Sequence, residues 1–424
     1  MPVSIRSIGT ALPPTVIDQP HIRDVFRSQP GLGRLAPRLI GAVFDGAAID
    51  TRHTVIAELG AEPAAEPAAE GATPDAAPRS AAGGPDDDAA TPTFYDRAEG
   101  RILRPTTGTR NDVYVAESPD LFARAAEEAL AGAAGITAAD VTHVVTVSCT
   151  GFFAPGPDYL LVRRLGLPAT TRRLHIGFMG CYGAFPALRS ARDTCLADPD
   201  AVVLVVCAEL CTLHLRSSDD PDAIIASSVF ADGAAAAVVT ARPAPTGETV
   251  LDLDVLETVL TPVGEDDMAW SIGDQGFDMV LSSYVPHIVE ENIDDALVPL
   301  LAAEGVGVGD VARWAVHPGG RSILDRVQQR LGLSDPQMAP SREVLRTRGN
   351  MSSATVLFIL REHLLPDAVS DAVPDGARDG ALVDVSAAAP AGADVAPVRE
   401  RVCAMAFGPG LTVETSLLTR RVAA

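Results

Sequence analysis

Three side chains capable of joint chemistry stand far apart in the 424-residue chain. Cys181 sits in HIGFMGCYGAFPALRSARD, where an apolar run gives way to small residues. Leu188, Ala191 and Cys195 then recur at helical spacing. A cysteine at or near a helix N-terminus meets unpaired N–H groups and the positive end of the macrodipole, and both favour a thiolate. Gly180 and Gly183 leave room for a ligand to approach the backbone. A single cysteine in such a place is more often core filler, because free Cys is among the most buried residue types. His317 closes the short apolar strand Trp314–Val316 and precedes the turn Pro318-Gly319-Gly320, with Ser322 placed to open the helix that follows. An imidazole there can orient a thiolate and donate a hydrogen bond to a developing oxyanion. As one residue it reads more readily as a satisfied structural histidine. Asn350, in GNMSSATVLFILREHLL, precedes a helix whose apolar face includes Val356, Leu357, Leu360 and Leu364. It is either an N-cap or an amide donor aimed at the same oxygen as His317.

The elements that must position these groups alternate. HVVTVSC (143–149) and AVVLVVCAEL (201–210) are β-branched runs of buried-strand type. GAAAAVVTA (233–241) and VCAMAFGPGLTVETSLLT (402–419) add strands, the latter broken by the tight turn Gly408-Pro409-Gly410, which can wall a cavity. SCTGFFAPGPDYLL, from Ser148, is a further strand-to-loop transition. SPDLFARAAEEALAGAAG predicts an amphipathic helix with Ser118 as its N-cap. Strand, helix and strand in both halves imply α/β layers. Two Ala/Pro/Gly/Asp-rich stretches, 61–93 with almost no large apolar side chain and 366–397 with a little Val and Leu, read as surface loops.

The composition is 47% hydrophobic but only 4% aromatic, so the core must be built from small and β-branched side chains. Thirty-three Lys and Arg against 56 Asp and Glu give a net charge of −23, which disfavours nucleic acid or an anionic membrane as the main partner. The six cysteines form no CxxC pair and show no zinc spacing, so no metal site is expected. The N-terminus lacks the apolar core of a signal peptide and no run reaches the length of a membrane span. A cytoplasmic protein with reduced thiols is the expectation.

These segments together resemble the type III polyketide synthases, the chalcone and stilbene synthase superfamily. HPGGRSILDRVQQRLGL, GNMSSATVLFILRE and FGPGLTVET are similar to that family's C-terminal signatures, VFADGAAAAVV to its FGDGAAA strand, and IGTALPP to its N-terminal motif. The resemblance implies a thiolase-like fold, a duplicated αβαβα five-layer core with one half over 1–250 and the other over 251–424. It implies a catalytic Cys181, His317 and Asn350, with His317 holding the thiolate as an ion pair, and with acyl-CoA and malonyl-CoA as substrates. It also implies a homodimer and no cofactor. By the same alignment Cys149, Thr150, Cys211, Phe230, Trp270, Met279, Gly319 and Pro409 line the substrate cavity. Arg52 is the best match to a basic residue at the CoA entrance, with Arg321 beside the Gly-Gly turn as a second.

The run Tyr182-Gly183-Ala184-Phe185, in place of the plant Phe-Ala-Gly-Gly, is similar to bacterial members that take aliphatic starters. Trp270 would fill part of an aromatic pocket, whereas Met279 would open a flexible apolar exit. These features point to a fatty acyl starter and an alkylpyrone or alkylresorcinol-type product. Three rivals remain at this stage: a β-ketoacyl-ACP synthase III making a single condensation, a Cys-His-Asn hydrolase, and a non-catalytic acyl carrier of the same fold.

Overall fold

The computed structural model describes residues 2–60, 92–365 and 399–424. The low-complexity stretches lie outside the described residues, apart from Thr91's neighbours 92 and 93. The first half runs β1 (Ser4–Ala11), β2 (Thr15–Asp18), α1 (Gln19–Arg27), α2 (Ala36–Gly46), β3 (Thr51–Thr54), β4 (Tyr95–Asp96), β5 (Arg101–Ile102), α3 (Thr107–Gly132), β6 (His143–Ser148), α4 (Pro157–Arg164), β7 (Arg172–Gly177), α5 (Ala184–Ala197), β8 (Val202–Leu210), α6 (Pro221–Val229) and β9 (Asp232–Thr240). The second runs β10 (Thr249–Leu260), β11 (Met268–Gly273), β12 (Gly276–Leu281), α7 (Val285–Ala303), β13 (Val311–Val316), α8 (Arg321–Leu331), α9 (Asp335–Arg348), α10 (Thr355–Leu364), β14 (Arg399–Gly408) and β15 (Thr412–Val422).

Nine strands form one mixed sheet in the order β13-β14-β15-β10-β1-β9-β8-β6-β7. Its two sides repeat one pattern. β1 pairs antiparallel with β9, β9 antiparallel with β8, and β8 parallel with β6. β10, β15, β14 and β13 repeat these directions in that order. The seam between the sides is β1 against β10, in register only at Ser4↔Asp252 and Ile5↔Leu251, with Ser4 Oγ donating to Asp252 at 2.6 Å.

Side-chain alternation sorts the core into three layers. Val145, Val203, Val205, Ala235 and Ala237 from one side of the sheet, and Val402, Ala404 and Leu418 from the other, face a shared interior filled by α5 (Phe185, Leu188, Ala191) and α10 (Val356, Leu357, Leu360). The opposite faces of these strands are covered by α1, α2 and α3 on the first side, and by α7, α8 and α9 on the second. The order helix, sheet, helix, sheet, helix is the five-layer arrangement of the thiolase-like fold. Close spacing demands small residues. A Cβ on Gly9 would lie 2.3 Å from Ala129 N, so α3 rests almost directly on the β1 backbone. No helix among the described residues is long and apolar enough to cross a membrane.

The expected helix start at Ser118 is corrected. α3 begins at Thr107 behind an N-cap at Thr106, and Ser118 and Pro119 lie within it. Ser-Pro ahead of an apolar stripe reads as a helix entry, but the turns before it supply Arg110 and Tyr114, both buried, and their packing carries the helix through the proline.

Candidate active site

Cys181 lies in a one-turn 3₁₀ segment, Gly180–Tyr182, immediately ahead of α5. Gly180 makes the turn at φ +68, and a Cβ there would stand 2.6 Å from Pro409 Cδ, so the cysteine backbone and the Gly408–Gly410 turn are pressed together. His317 follows the last residue of β13, and its N–H donates to Met405 O on β14 at 2.8 Å. Asn350 is strapped to the exit of α6 by its own backbone. Its N–H donates to Val229 O at 2.8 Å and its C=O accepts from Ala231 N at 2.9 Å. Asn350 Oδ1 accepts from Ser352 N at 2.8 Å, which leaves Nδ2 as the donor turned to Cys181 Sγ, 3.9 Å away. Ser352 adopts φ +46, a strained conformation for a serine, at the residue that orients the amide.

One cavity brings the three together. Cys181, His317 and Asn350 line it, with Cys149, Thr150, Cys211, Phe230, Trp270, Met279, Gly319 and Pro409, so eleven of the twelve site residues expected from the sequence share one wall. Its volume is about 50 Å³ and its lining is almost wholly apolar. Trp270 is anchored across it by Nε1 donating to Cys149 O at 3.0 Å. A second, smaller chamber lies behind Cys211, Phe230, Trp270 and Met279, and includes His214 and Phe277. On the other side Leu281, Gly319 and Ile323 are shared with a surface cleft of about 410 Å³ that holds Arg321 and Arg326.

Arg52 is the twelfth residue, and its expected place is wrong. It is fully buried and reaches neither cleft nor cavity; its guanidinium donates to the carbonyls of Ser227 and Phe230 at 2.9 and 2.6 Å. Arg321 is the residue found at the cleft.

Burial works against the expected thiolate–imidazolium pair, pushing the Cys181 thiol up to about 11 and the His317 imidazole down to about 3. Neither ring nitrogen of His317 has a hydrogen-bond partner among the described residues. A neutral imidazole still carries one N–H, and two unpartnered nitrogens at a cavity wall are free to meet a ligand oxygen.

Glu209 was not anticipated. It ends the buried run of β8 beneath the cavity and accepts from Cys149 N, Thr150 Oγ1 and Ser353 Oγ at 2.8, 2.9 and 2.5 Å. Desolvation raises its carboxyl to about 7. The signal was present as a lone acid in VVLVVCAEL, a run otherwise free of charge.

Residues 99–243 match the family described as chalcone and stilbene synthases, N-terminal domain, and residues 252–422 its C-terminal domain. The chain belongs to the chalcone and stilbene synthase family. It is a type III polyketide synthase, an acyltransferase-type condensing enzyme, and the family draws on acyl-CoA and malonyl-CoA. The chain is similar to bisdemethoxycurcumin synthase of Oryza sativa subsp. japonica, 32% identical over 336 residues that span 78% of this chain and 77% of that one. Among solved structures it resembles PKS-I from the brown alga Ectocarpus siliculosus, with a TM-score of 0.80 and 28% identity over 99% of this chain and 98% of that one. The type III polyketide synthase domain of Steely1 from Dictyostelium, at 23% identity, shares the fold with a TM-score of 0.76 over the whole of both chains.

Proposed function

We propose that this polyketide synthase loads a fatty acyl group from acyl-CoA onto Cys181 and extends it with malonyl-CoA to an alkylpyrone or alkylresorcinol-type product. The observation that carries the reading is the convergence of a sulfur, an imidazole and an amide on one apolar cavity that adjoins a cleft to solvent. In the loading step, Cys181 Sγ attacks the thioester carbonyl, and its proton passes to the departing CoA sulfur, which leaves as the thiol. In the extension step, malonyl-CoA loses CO₂ and negative charge develops on its thioester oxygen. Asn350 Nδ2 and the His317 N–H donate to that oxygen, each contributing about 3 kcal/mol to the barrier reduction. The enolate carbon then attacks the Cys181 thioester, and the sulfur is released. Every step draws only on the two thioester substrates and these side chains.

An apolar wall and the chamber behind Trp270 and Met279 support an aliphatic starter. The cleft beside Gly319 and Gly320, at the N-terminus of α8, supports entry of the CoA arm with Arg321 at its rim. A homodimer fits the outer edge of the sheet. β7 has no strand on its far side among the described residues, and Leu174, Phe178 and Phe152 are exposed around it. Mass spectrometry of products from acyl-CoAs of rising length with malonyl-CoA tests the reading. Two or more extensions on long-chain starters support it. A single extension favours a β-ketoacyl synthase, and hydrolysis without carbon–carbon bond formation removes the condensing role.

A further inference from the structure

Substrate entry does not explain the position of Arg52, whose guanidinium carbon stands 6.0 Å over the centre of the Phe44 ring. It lies on β3, buried, and among the described residues no carboxylate is ion-paired to it. Its Nε and Nη2 have no hydrogen-bond partner among the described residues. Desolvation lowers its value to about 10, with Asp232 the one carboxylate exerting a compensating pull. An unpaired buried cation is costly, and an apolar side chain of similar volume would be cheaper to bury.

What Arg52 touches is the ledge that carries Asn350. α6 ends at Val229, and the last carbonyls of a helix lack intrahelical donors. Arg52 Nη1 satisfies two of the carbonyls there, Ser227 O and Phe230 O, and places positive charge at the negative end of the helix. The intervening Val229 O and the following Ala231 N are the two groups that bind the Asn350 backbone. The stem of Arg52 packs beneath Gly349. That residue has φ +70, and a Cβ on it would stand 2.9 Å from Arg52 Cγ and 3.0 Å from Val229 O. The guanidinium therefore holds one side of the strap, and its methylenes hold the residue before Asn350.

We propose that Arg52 is a positioning residue for the condensation, acting through Asn350 by clamping the α6 exit on which the amide donor is mounted. This rests on the polyketide synthase reading for its rate prediction. It also has a consequence that does not depend on that reading. Asn350 Nδ2 faces Cys181 Sγ, so loosening Asn350 withdraws a donor that stabilises the thiolate. Both carbonyls accept from Nη1, and a lysine ammonium ends one bond nearer the backbone than that nitrogen, so Lys keeps the charge and loses the clamp.

The test compares Arg52→Lys, Gly349→Ala and Asn350→Ala, and the combination of Arg52→Lys with Asn350→Ala. Two readouts are taken well below each protein's melting temperature: kcat and KM for malonyl-CoA, and the iodoacetamide rate constant of the Cys181 peptide at pH 8. A misplaced catalytic group costs up to about a hundredfold. Arg52→Lys is expected to lower kcat by about ten- to a hundredfold with KM within about threefold. It is also expected to slow Cys181 alkylation in the direction of Asn350→Ala. The combined variant should be no worse than Asn350→Ala alone in either readout. Gly349→Ala should give the same signature from the other face of the clamp. Wild-type rates in folded Arg52→Lys, or full additivity with Asn350→Ala, overturn the proposal in favour of a purely structural arginine. Failure of both Arg52→Lys and Gly349→Ala to fold does the same. If the wild-type protein makes no carbon–carbon bond, the polyketide reading falls and the alkylation readout alone decides the role of Arg52.

Discussion

Replacing His317 by Gln should make the protein more resistant to acid while it damages the enzyme. The imidazole is fully buried with both nitrogens unpartnered among the described residues, and its value falls from an ordinary 6.5 to about 3. In the unfolded chain the ring takes up a proton below pH 6.5; in the folded protein it stays neutral down to about pH 3. Between these limits the unfolded state binds the extra proton, so stability falls as pH falls. At pH 5 the unfolded ring lies about 1.5 units below its midpoint. At 1.36 kcal/mol per unit this costs the native state about 2 kcal/mol relative to pH 8. Gln carries no such charge. His214 and His363, each lowered to about 4 by burial, add the same kind of acid sensitivity to both proteins and cancel in the comparison. Urea unfolding of wild type and His317→Gln at pH 8 and pH 5 measures the difference of differences. The variant should gain about 2 kcal/mol on wild type between the two pH values. A gap that does not change with pH would mean that His317 is solvated or already charged in the folded protein, and the neutral donor assigned to it would be wrong.

Other outcomes follow from the same groups. With its thiol near 11, Cys181 should react with iodoacetamide about tenfold faster for each pH unit between 7 and 9, and a plateau below pH 8 would point to a preformed ion pair. Cys181→Ser should abolish the acyl adduct that mass spectrometry finds on the 181 peptide after incubation with acyl-CoA; persistence of the adduct elsewhere refutes the nucleophile. Glu209 is raised from 4.5 to about 7, so the folded protein keeps that proton where the unfolded chain loses it, and stability falls as pH rises from 4.5 to 7. Glu209→Gln should therefore gain about 3 kcal/mol on wild type at pH 8 relative to pH 4.5, read by urea midpoints at both. Trp270→Ala should open the cavity into the chamber lined by His214 and Phe277 and lengthen the product made from a given acyl-CoA. An unchanged product profile shows that Trp270 does not divide the two spaces.

Much of the site was legible because its residues stand where strand becomes turn. An apolar run ended by His317 and two glycines, or a Gly-Asn pair before a helix, announces a backbone that delivers a side chain to the end of a sheet. The small-residue core was legible too, since Ala and Val in β9 can only mean close layers. Arg52 was misread because its type was visible and its depth was not. A basic residue in a short polar segment reads as surface, and only the stacking of α6 and α9 over β3 buries it. The pull of burial against the ion pair was hidden for a related reason. Whether Cys181 and His317 share a proton is set by the dielectric of a cavity assembled from both halves, and no local pattern encodes that. The helix entry at Ser118 failed because proline obeys a local rule that tertiary packing overrode.

The β1–β10 seam leaves the enzyme with a particular weakness. The nucleophile belongs to one half and both donors to the other, 136 to 169 residues further along, with few hydrogen bonds stitching the two sides at that border. Turnover should then report on the alignment of the halves more sensitively than spectroscopy reports on either. Mild heating, or a cut in the chain between the halves, ought to silence chemistry while the secondary structure still looks whole.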